Sequence, residues 1–400
     1  MSIAAVRRSV SSARAVRRLG AVALAAALTV GLSACGGGDR VKTFTPSRMI
    51  SFGDELSFIG TQTVGGVTVA GQKYGVNYVV KDQAFFIDGE YQTNDAVLSS
   101  LSAETYANPV YSVDTGALRL IREETSTTFN TSPVHKRQQR TLWACSLEGR
   151  LWIQVLANSY NLGYGTACPA DKTGAETYAQ VGAKVDDVIA TFGARRGELR
   201  EGVLVTVWVG QNDVLEQLAL VKVTPSQLDA AKTELKARGE RLGQAINGLL
   251  STGARVVVVT VPDLGKAPGA AGYNTTVNEL TQAFNAGLIG LNGVVNDGTK
   301  VGLVKAYDLI KDIAENPANY GSINTTQAMC NTSALFKPDG SASSSLLDCV
   351  YDGAQTVGGS STVAGALLYS HLWASDYVLG PTGQAKVGAL AFTRVSNNPF

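Results

Sequence analysis

Histidine is nearly missing from this chain: there are two in 400 residues, His135 and His371. A histidine-rich metal site is therefore excluded, and imidazole chemistry has only two candidates. No two cysteines stand in C-x-x-C spacing, which argues against a zinc ribbon or a dithiol redox centre. Charged residues make up 17% of the chain and hydrophobic residues 45%, the balance of a globular protein and not of a disordered one. Basic and acidic side chains nearly cancel, 34 against 33, so nothing suggests a nucleic-acid partner. The 43 glycines follow no G-X-Y period, which excludes a collagen-like chain. There is no internal repeat, and no second long apolar run follows the one near the N-terminus.

That first run reads as an export signal. Arg7, Arg8, Arg14, Arg17 and Arg18 precede an apolar stretch from Leu19 to Leu32, and no acid occurs before Asp39. The stretch is too short to span a bilayer comfortably. It ends in Leu32-Ser33-Ala34-Cys35, which looks like a bacterial lipobox: small residues ahead of a thiol that accepts a diacylglycerol. Residues 1–34 are thus expected to be a signal peptide, and 35–47 a lipidated tether beginning with flexible Gly36-Gly37-Gly38. Gly36 after the cysteine favours the outer membrane of the envelope over the inner one. Loss of 1–34 removes five arginines and no acid, leaving 29 basic against 33 acidic side chains, a net charge of −4. If Cys35 is lipidated, four cysteines remain, an even number suited to an exported protein. Pairing by proximity in sequence gives Cys145–Cys168 and Cys330–Cys349, one of three possible connectivities.

The body alternates strand and helix signals. Met49–Phe52, Val203–Val209 and Arg255–Val261 are apolar, largely β-branched runs, each closed by a turn. Continuous runs of this kind suit strands buried on both faces, as in a parallel sheet. Thr224-Pro225-Ser226-Gln227 reads as a helix start with Thr as N-cap, and Gly253 as its stop. Further helices are expected over Thr276–Leu291 and from Pro381 to about Arg394. The order argues for a doubly wound α/β layer fold. Residues 62–145, rich in Thr, Val, Tyr, Gly and Ser, break the rhythm and read as a β-rich insertion. Residues 318–368 read as loop, stapled by Cys330–Cys349.

Five short blocks then resemble one family. Phe52-Gly53-Asp54-Glu55-Leu56-Ser57-Phe58-Ile59-Gly60 resembles the first block of the SGNH, or GDSL, hydrolases, which usually reads Phe-Gly-Asp-Ser-Leu-Ser-Asp-x-Gly. Tyr178-Ala179-Gln180-Val181-Gly182-Ala183 resembles the second, Gly210-Gln211-Asn212-Asp213 the third, and Val261-Pro262-Asp263-Leu264-Gly265 a fourth segment. Asp376 to Thr382, ending Pro381-Thr382, is similar to the last block, Asp-x-x-His-Pro-Thr. The resemblance covers roughly 48–400 apart from the insertion. It implies a flavodoxin-like three-layer α/β/α fold with a parallel central sheet and carboxylic ester hydrolysis. It also implies oxyanion-hole donors at Gly182 and Asn212, a triad acid at Asp376, and no metal or other cofactor.

The departures matter more than the matches. Glu55 stands where the family has its nucleophilic serine. Leu379-Gly380 precede Pro381 where the family has its histidine. A carboxylate is a poor acyl acceptor, because its adduct is a mixed anhydride, and without an imidazole there is no proton shuttle. Ser57 is expected to be a solvated or capping residue, His371 a packed or surface residue, His135 part of a basic loop, and Asn212-Asp213 equally well plain turn residues. Glu55 can point to water, can accept the oxyanion donors itself, or can act as a general base on water. Three functions stay open at this point. The chain is a degenerate family member that binds an acyl or glycan ligand at the membrane. It is an active ester hydrolase with a non-standard base such as His371 or Glu55. Or it is an envelope scaffold whose function lies in the 62–145 insertion.

Overall fold

The computed structural model describes residues 44–397, except 65–66, 88–89, 94–118, 130–135, 146–148, 166–171, 297–298, 337–341, 352–361 and 364–365. In chain order the elements that matter here begin with β1 (Arg48–Gly53). They continue through β2 (Ile59–Val64), β3 (Val67–Lys73), β4 (Asn77–Ile87), β5 (Glu90–Thr93), β6 (Arg119–Phe129) and β7 (Lys136–Cys145). Next come α1 (Trp152–Ser159), β8 (Gly163–Tyr164), β9 (Gly174–Thr177), α2 (Val185–Arg195), β10 (Val203–Trp208) and α3 (Gln211–Val223). The chain continues with α4 (Leu228–Leu249), β11 (Arg255–Val259), α5 (Asn274–Ile289), β12 (Val301–Val304), α6 (Ala306–Glu315) and α7 (Pro381–Asn397).

The three apolar runs are β1, β10 and β11, adjacent and parallel in a six-stranded sheet of order β12-β11-β10-β1-β9-β8. Every pairing in that sheet is parallel. All six residues of β10 are buried, because helices cover both faces of the sheet. Alternation along the strands divides the apolar side chains between two cores. Met49, Leu204, Trp208, Val257 and Val304 pack with α1, α6 and α7. Ile50, Phe52, Val205, Val207, Val256 and Val258 pack with α2, α3, α4 and α5. This is the expected three-layer α/β/α arrangement. Strand order reverses at β1, with β10 on one side and β9 on the other, so the crevice at the carboxyl ends of these strands is the natural place for a site.

Helix boundaries differ from expectation in detail. Thr224 makes no side-chain cap; its backbone is too far from the extended N-cap form, and a 3-10 turn, Pro225–Gln227, leads into α4 instead. Gly253 does end the α4 segment, at φ +86. Helix α5 runs two residues earlier than read, and Leu280, Phe284 and Leu288 are fully buried along it. Between Ile59 and Cys145 the described backbone is antiparallel: β2 pairs β3, and β4 pairs β5 and β7, which pairs β6. Within the stretch read as loop, Asn324–Ala328 pairs with the strand His371–Trp373. Cys330 and Cys349 are bonded, whereas Cys35, Cys168 with its pairing to Cys145, and His135 lie outside the described residues.

At the end of β3 sits a cation with no carboxylate partner among the described residues. Lys73 is 3% exposed, and its Nζ donates to Gly149 O at 2.7 Å. Burial, with Arg150 adding a smaller effect, lowers its pKa to about 7. A base depressed in the folded state binds fewer protons there than in the unfolded chain, so its cost grows as pH falls from about 10 to about 7. Lys73→Met is expected to raise stability by about 2 kcal/mol at pH 7. Denaturant melts across pH should show that advantage shrinking towards pH 10.

Candidate active site

The carboxyl end of β1 is shaped by one close approach. A Cβ at Gly53 would lie 2.1 Å from Trp208 O, so only glycine lets β1 and β10 meet there. The next amide, Asp54 N–H, donates to that same Trp208 oxygen at 3.1 Å. Asp54 Oδ1 then accepts Leu56 N–H at 3.1 Å and caps the 3-10 turn Glu55–Ser57. The turn presents Glu55 to the loops that follow β9 and β10.

Three donors converge on the Glu55 carboxylate. Gly182 N–H reaches Oε2 at 3.1 Å, Asn212 Nδ2 reaches the same oxygen at 2.8 Å, and Gln211 Nε2 reaches Oε1 at 2.9 Å. Gly182 takes a left-handed conformation, φ +80, which aims its amide inward, and Asn212 is steadied by Ala183 O at 3.1 Å. Asn212 and Gln211 are the first two residues of α3, entered through Gly210. The sequence-expected positions Glu55, Gly182 and Asn212 thus meet at one point, at the carboxyl ends of β1, β9 and β10. Gln211 joins them. Sequence reasoning missed it because it occupies the variable position of the third block.

The charge at this point has no counter-ion: among the described residues no lysine, arginine or histidine pairs with Glu55, which is 5% exposed. Its neighbours respond. Asp54 is fully buried; burial, then the neighbouring Glu55 and Asp213, hold its carboxyl well above the usual carboxylate range. Its Oδ2 has no hydrogen-bond partner among the described residues. Burial and the same Glu55 charge push the Tyr74 phenol up.

Asp213 is not a plain turn residue. It is buried, accepts Val185 N–H at 3.1 Å, and pairs with Arg238 at 3.0 Å. Arg238 also holds Glu216 and Glu234, at 2.5 and 2.8 Å. This ties α3 to the start of α2 and the middle of α4. The Glu234–Arg238 spacing, i to i+4, was the readable signal for Arg238.

The other family positions do not join this cluster. Ser57 is buried, not solvated: its Oγ accepts the Trp152 indole N–H at 3.0 Å, a partner that only the packing of α1 supplies. His371 is 6% exposed in the strand His371–Trp373, its Nδ1 is hydrogen-bonded to Ser370 Oγ at 2.8 Å, and burial lowers its pKa. Asp376 is exposed in the following turn, and its backbone carbonyl accepts Gly269 N–H at 3.0 Å. Leu379 is buried in the core that α7 covers, and a Cβ at Gly380 would be 3.1 Å from His371 O.

Chemically, then, the donors are arranged for an oxygen anion, and a side chain of the protein already fills them. The pair Asp54–Glu55 gives a direct test. An acid whose folded pKa is raised contributes full stability only below its unfolded pKa, about 4, and loses it as pH rises. Asp54→Asn keeps the acceptor for Leu56 N–H and removes the titration. It is expected to stabilise the fold by about 1–3 kcal/mol at pH 7, with the gain disappearing near pH 4 in urea melts.

Comparison with known proteins bears on the same residues. The family model of the GDSL-like lipases/acylhydrolases matches residues 135–353, a span that contains Gly182, Gln211, Asn212 and Asp213 but neither Glu55 nor Asp376. A GDSL esterase/lipase of Arabidopsis thaliana is 24% identical over 144 residues, 33% of this chain and 38% of its own length. The chain thus spans about 38% of the curated relative it matches. A crystal structure of protein YXIM from Bacillus subtilis aligns over 80% of this chain and 78% of its own, at 10% identity and a TM-score of 0.30. With more than half of its length matched by the family model, and a parallel α/β sheet carrying the family blocks at its strand ends, the chain belongs to the GDSL-like lipase/acylhydrolase family, the SGNH hydrolases.

Proposed function

We propose that this family member does not hydrolyse esters and that Glu55 occupies the oxyanion donors of its former catalytic cleft. The observation that carries this reading is the Glu55 carboxylate seated on Gly182 N–H and Asn212 Nδ2. In an SGNH hydrolase these donors stabilise the oxyanion of a tetrahedral intermediate. Here a substrate carbonyl would have to displace a carboxylate held by three hydrogen bonds, two of them from neutral side-chain amides. Among the described residues, none of the three groups hydrogen-bonded to the carboxylate is a nucleophile or a base. Ser57 is committed to Trp152, and His371 to Ser370. A mixed anhydride on Glu55 would still lack a general acid for the leaving group.

In this reading the protein is an exported lipoprotein, anchored through Cys35 in the cell envelope at the outer membrane. It works there as a binding or structural module, with an acyl or glycan compound as the ligand class for the cleft. The lipobox Leu32-Ser33-Ala34-Cys35 and the arginines before it support the anchor.

Hydrolysis of short and long p-nitrophenyl esters by the mature chain tests the occupied cleft. Turnover is expected to equal that of an Asn212→Ala/Asp376→Ala control; turnover that this double change abolishes overturns the reading. Glu55→Ala frees all three donors. It is expected to bind acetate saturably, detected as shifts of the Gly182 amide and the Gln211 and Asn212 side-chain amides in NMR spectra. Wild type should show no such binding.

A further inference from the structure

The buried amine of Lys73 is a group that the Glu55 cleft does not use. Its backbone holds it in place. Lys73 pairs with Ile59 across β2 and β3, its N–H donates to Asn77 Oδ1 at 3.0 Å, and its carbonyl accepts Asn77 Nδ2 at 3.0 Å. The same Asn77 amide reaches Leu347 O at 3.0 Å, so this turn is clamped from two sides. The stem of Lys73 therefore starts from a held point. At 3% exposure its charged end has not escaped to water, as a lysine on a free stem would.

What the amine meets is a single acceptor. Nζ donates to Gly149 O at 2.7 Å, and among the described residues it has no other hydrogen-bond partner. An ammonium brings three N–H donors to that one acceptor, and a neutral amine brings two. The donors left over are buried without partners, which is costly. The charge that acts on the amine also has the wrong sign. Burial, and then Arg150, the residue after Gly149, bring its pKa down to about 7. On its other side Gly149, left-handed at φ +66, donates its N–H to the Tyr369 hydroxyl at 3.1 Å. Tyr369 is 45% exposed, so solvent lies one residue away from the buried amine.

A carbamate on Nζ removes each of these faults. Its nitrogen keeps one N–H, which matches the one acceptor. Its charge is negative, so Arg150 attracts it where the ammonium is repelled. Its oxygens need donors, and the Arg150 guanidinium and the Tyr369 hydroxyl bring N–H and O–H groups to the two sides of Gly149. Carbon dioxide is small, linear and uncharged, so it suits an amine that larger electrophiles cannot reach.

We propose that Lys73 is a modification site for carbon dioxide: Nζ is carbamylated reversibly, with its remaining N–H on Gly149 O and the new anion beside Arg150. The lone pair of the uncharged amine attacks the carbon of carbon dioxide, and one C–O π pair moves onto oxygen. One Nζ proton leaves to water, giving Lys–NH–COO⁻ and H⁺. A desolvated lysine near neutrality supplies the uncharged nucleophile. Because the carbamate forms in the folded site, dissolved carbon dioxide stabilises the fold through it. The site stands apart from the reading of Glu55.

The mature chain equilibrated with carbon-13 bicarbonate tests this. At pH about 8, where an exposed lysine is still protonated, a carbamate carbon should appear in the NMR spectrum. Alkylation with trimethyloxonium should trap it as an ester, and peptide mass spectrometry should place it on Lys73. Lys73→Met, which is expected to fold more stably, should lose this signal, and flushing with nitrogen should reverse it in wild type. Arg150→Gln should lower the occupancy several-fold. Bicarbonate should raise the wild-type melting temperature above that in equal sodium chloride and leave Lys73→Met unmoved. A Lys73 without label, label that Arg150→Gln leaves unchanged, or a melting shift that Lys73→Met shares overturns the proposal.

Discussion

The Glu55 carboxylate on its three donors is the contact around which this site is organised. For a carboxylate that is 5% exposed and, among the described residues, without a counter-ion, these hydrogen bonds replace its water. Those donors come from the ends of two strands, β9 and β10, and hold the loops after them against the turn after β1. Burial and then the same carboxylate act on two neighbours, raising the Asp54 carboxyl and the Tyr74 phenol. Behind the donors, Asp213 and Arg238 fix the start of α3, so Asn212 and Gln211 are presented from a braced helix end.

This arrangement separates scaffold from chemistry. The parallel sheet is that of the GDSL-like family, and the glycine at the β1–β10 approach and the N–H donors after β9 and β10 are in place around its carboxyl end. Directly before Pro381, Leu379 is packed into the core that α7 covers and Gly380 against the strand His371–Trp373.

The amino-acid order alone determined the layer fold. β1, β10 and β11 are visible as apolar β-branched runs, and Leu280, Phe284 and Leu288 as one helix face, because burial on both faces of a sheet and on one face of a helix leaves a periodic trace. It also determined that a glutamate stands at position 55 and that Leu379-Gly380, not a histidine, directly precede Pro381, since identity at a position needs no geometry. Tertiary structure alone decided which of the three readings of Glu55 the fold adopts. Gly182 is 127 residues away from it in the chain and Asn212 is 157, and only strand order brings their N–H groups within 3.1 Å of one oxygen. It likewise decided that Ser57 belongs to Trp152, that Gln211 completes the cradle, and that Asp213 is a buried anion tied to Arg238. Partners of this kind lie far apart along the chain and leave no period in it, so the sequence could name the residues but not their bonds.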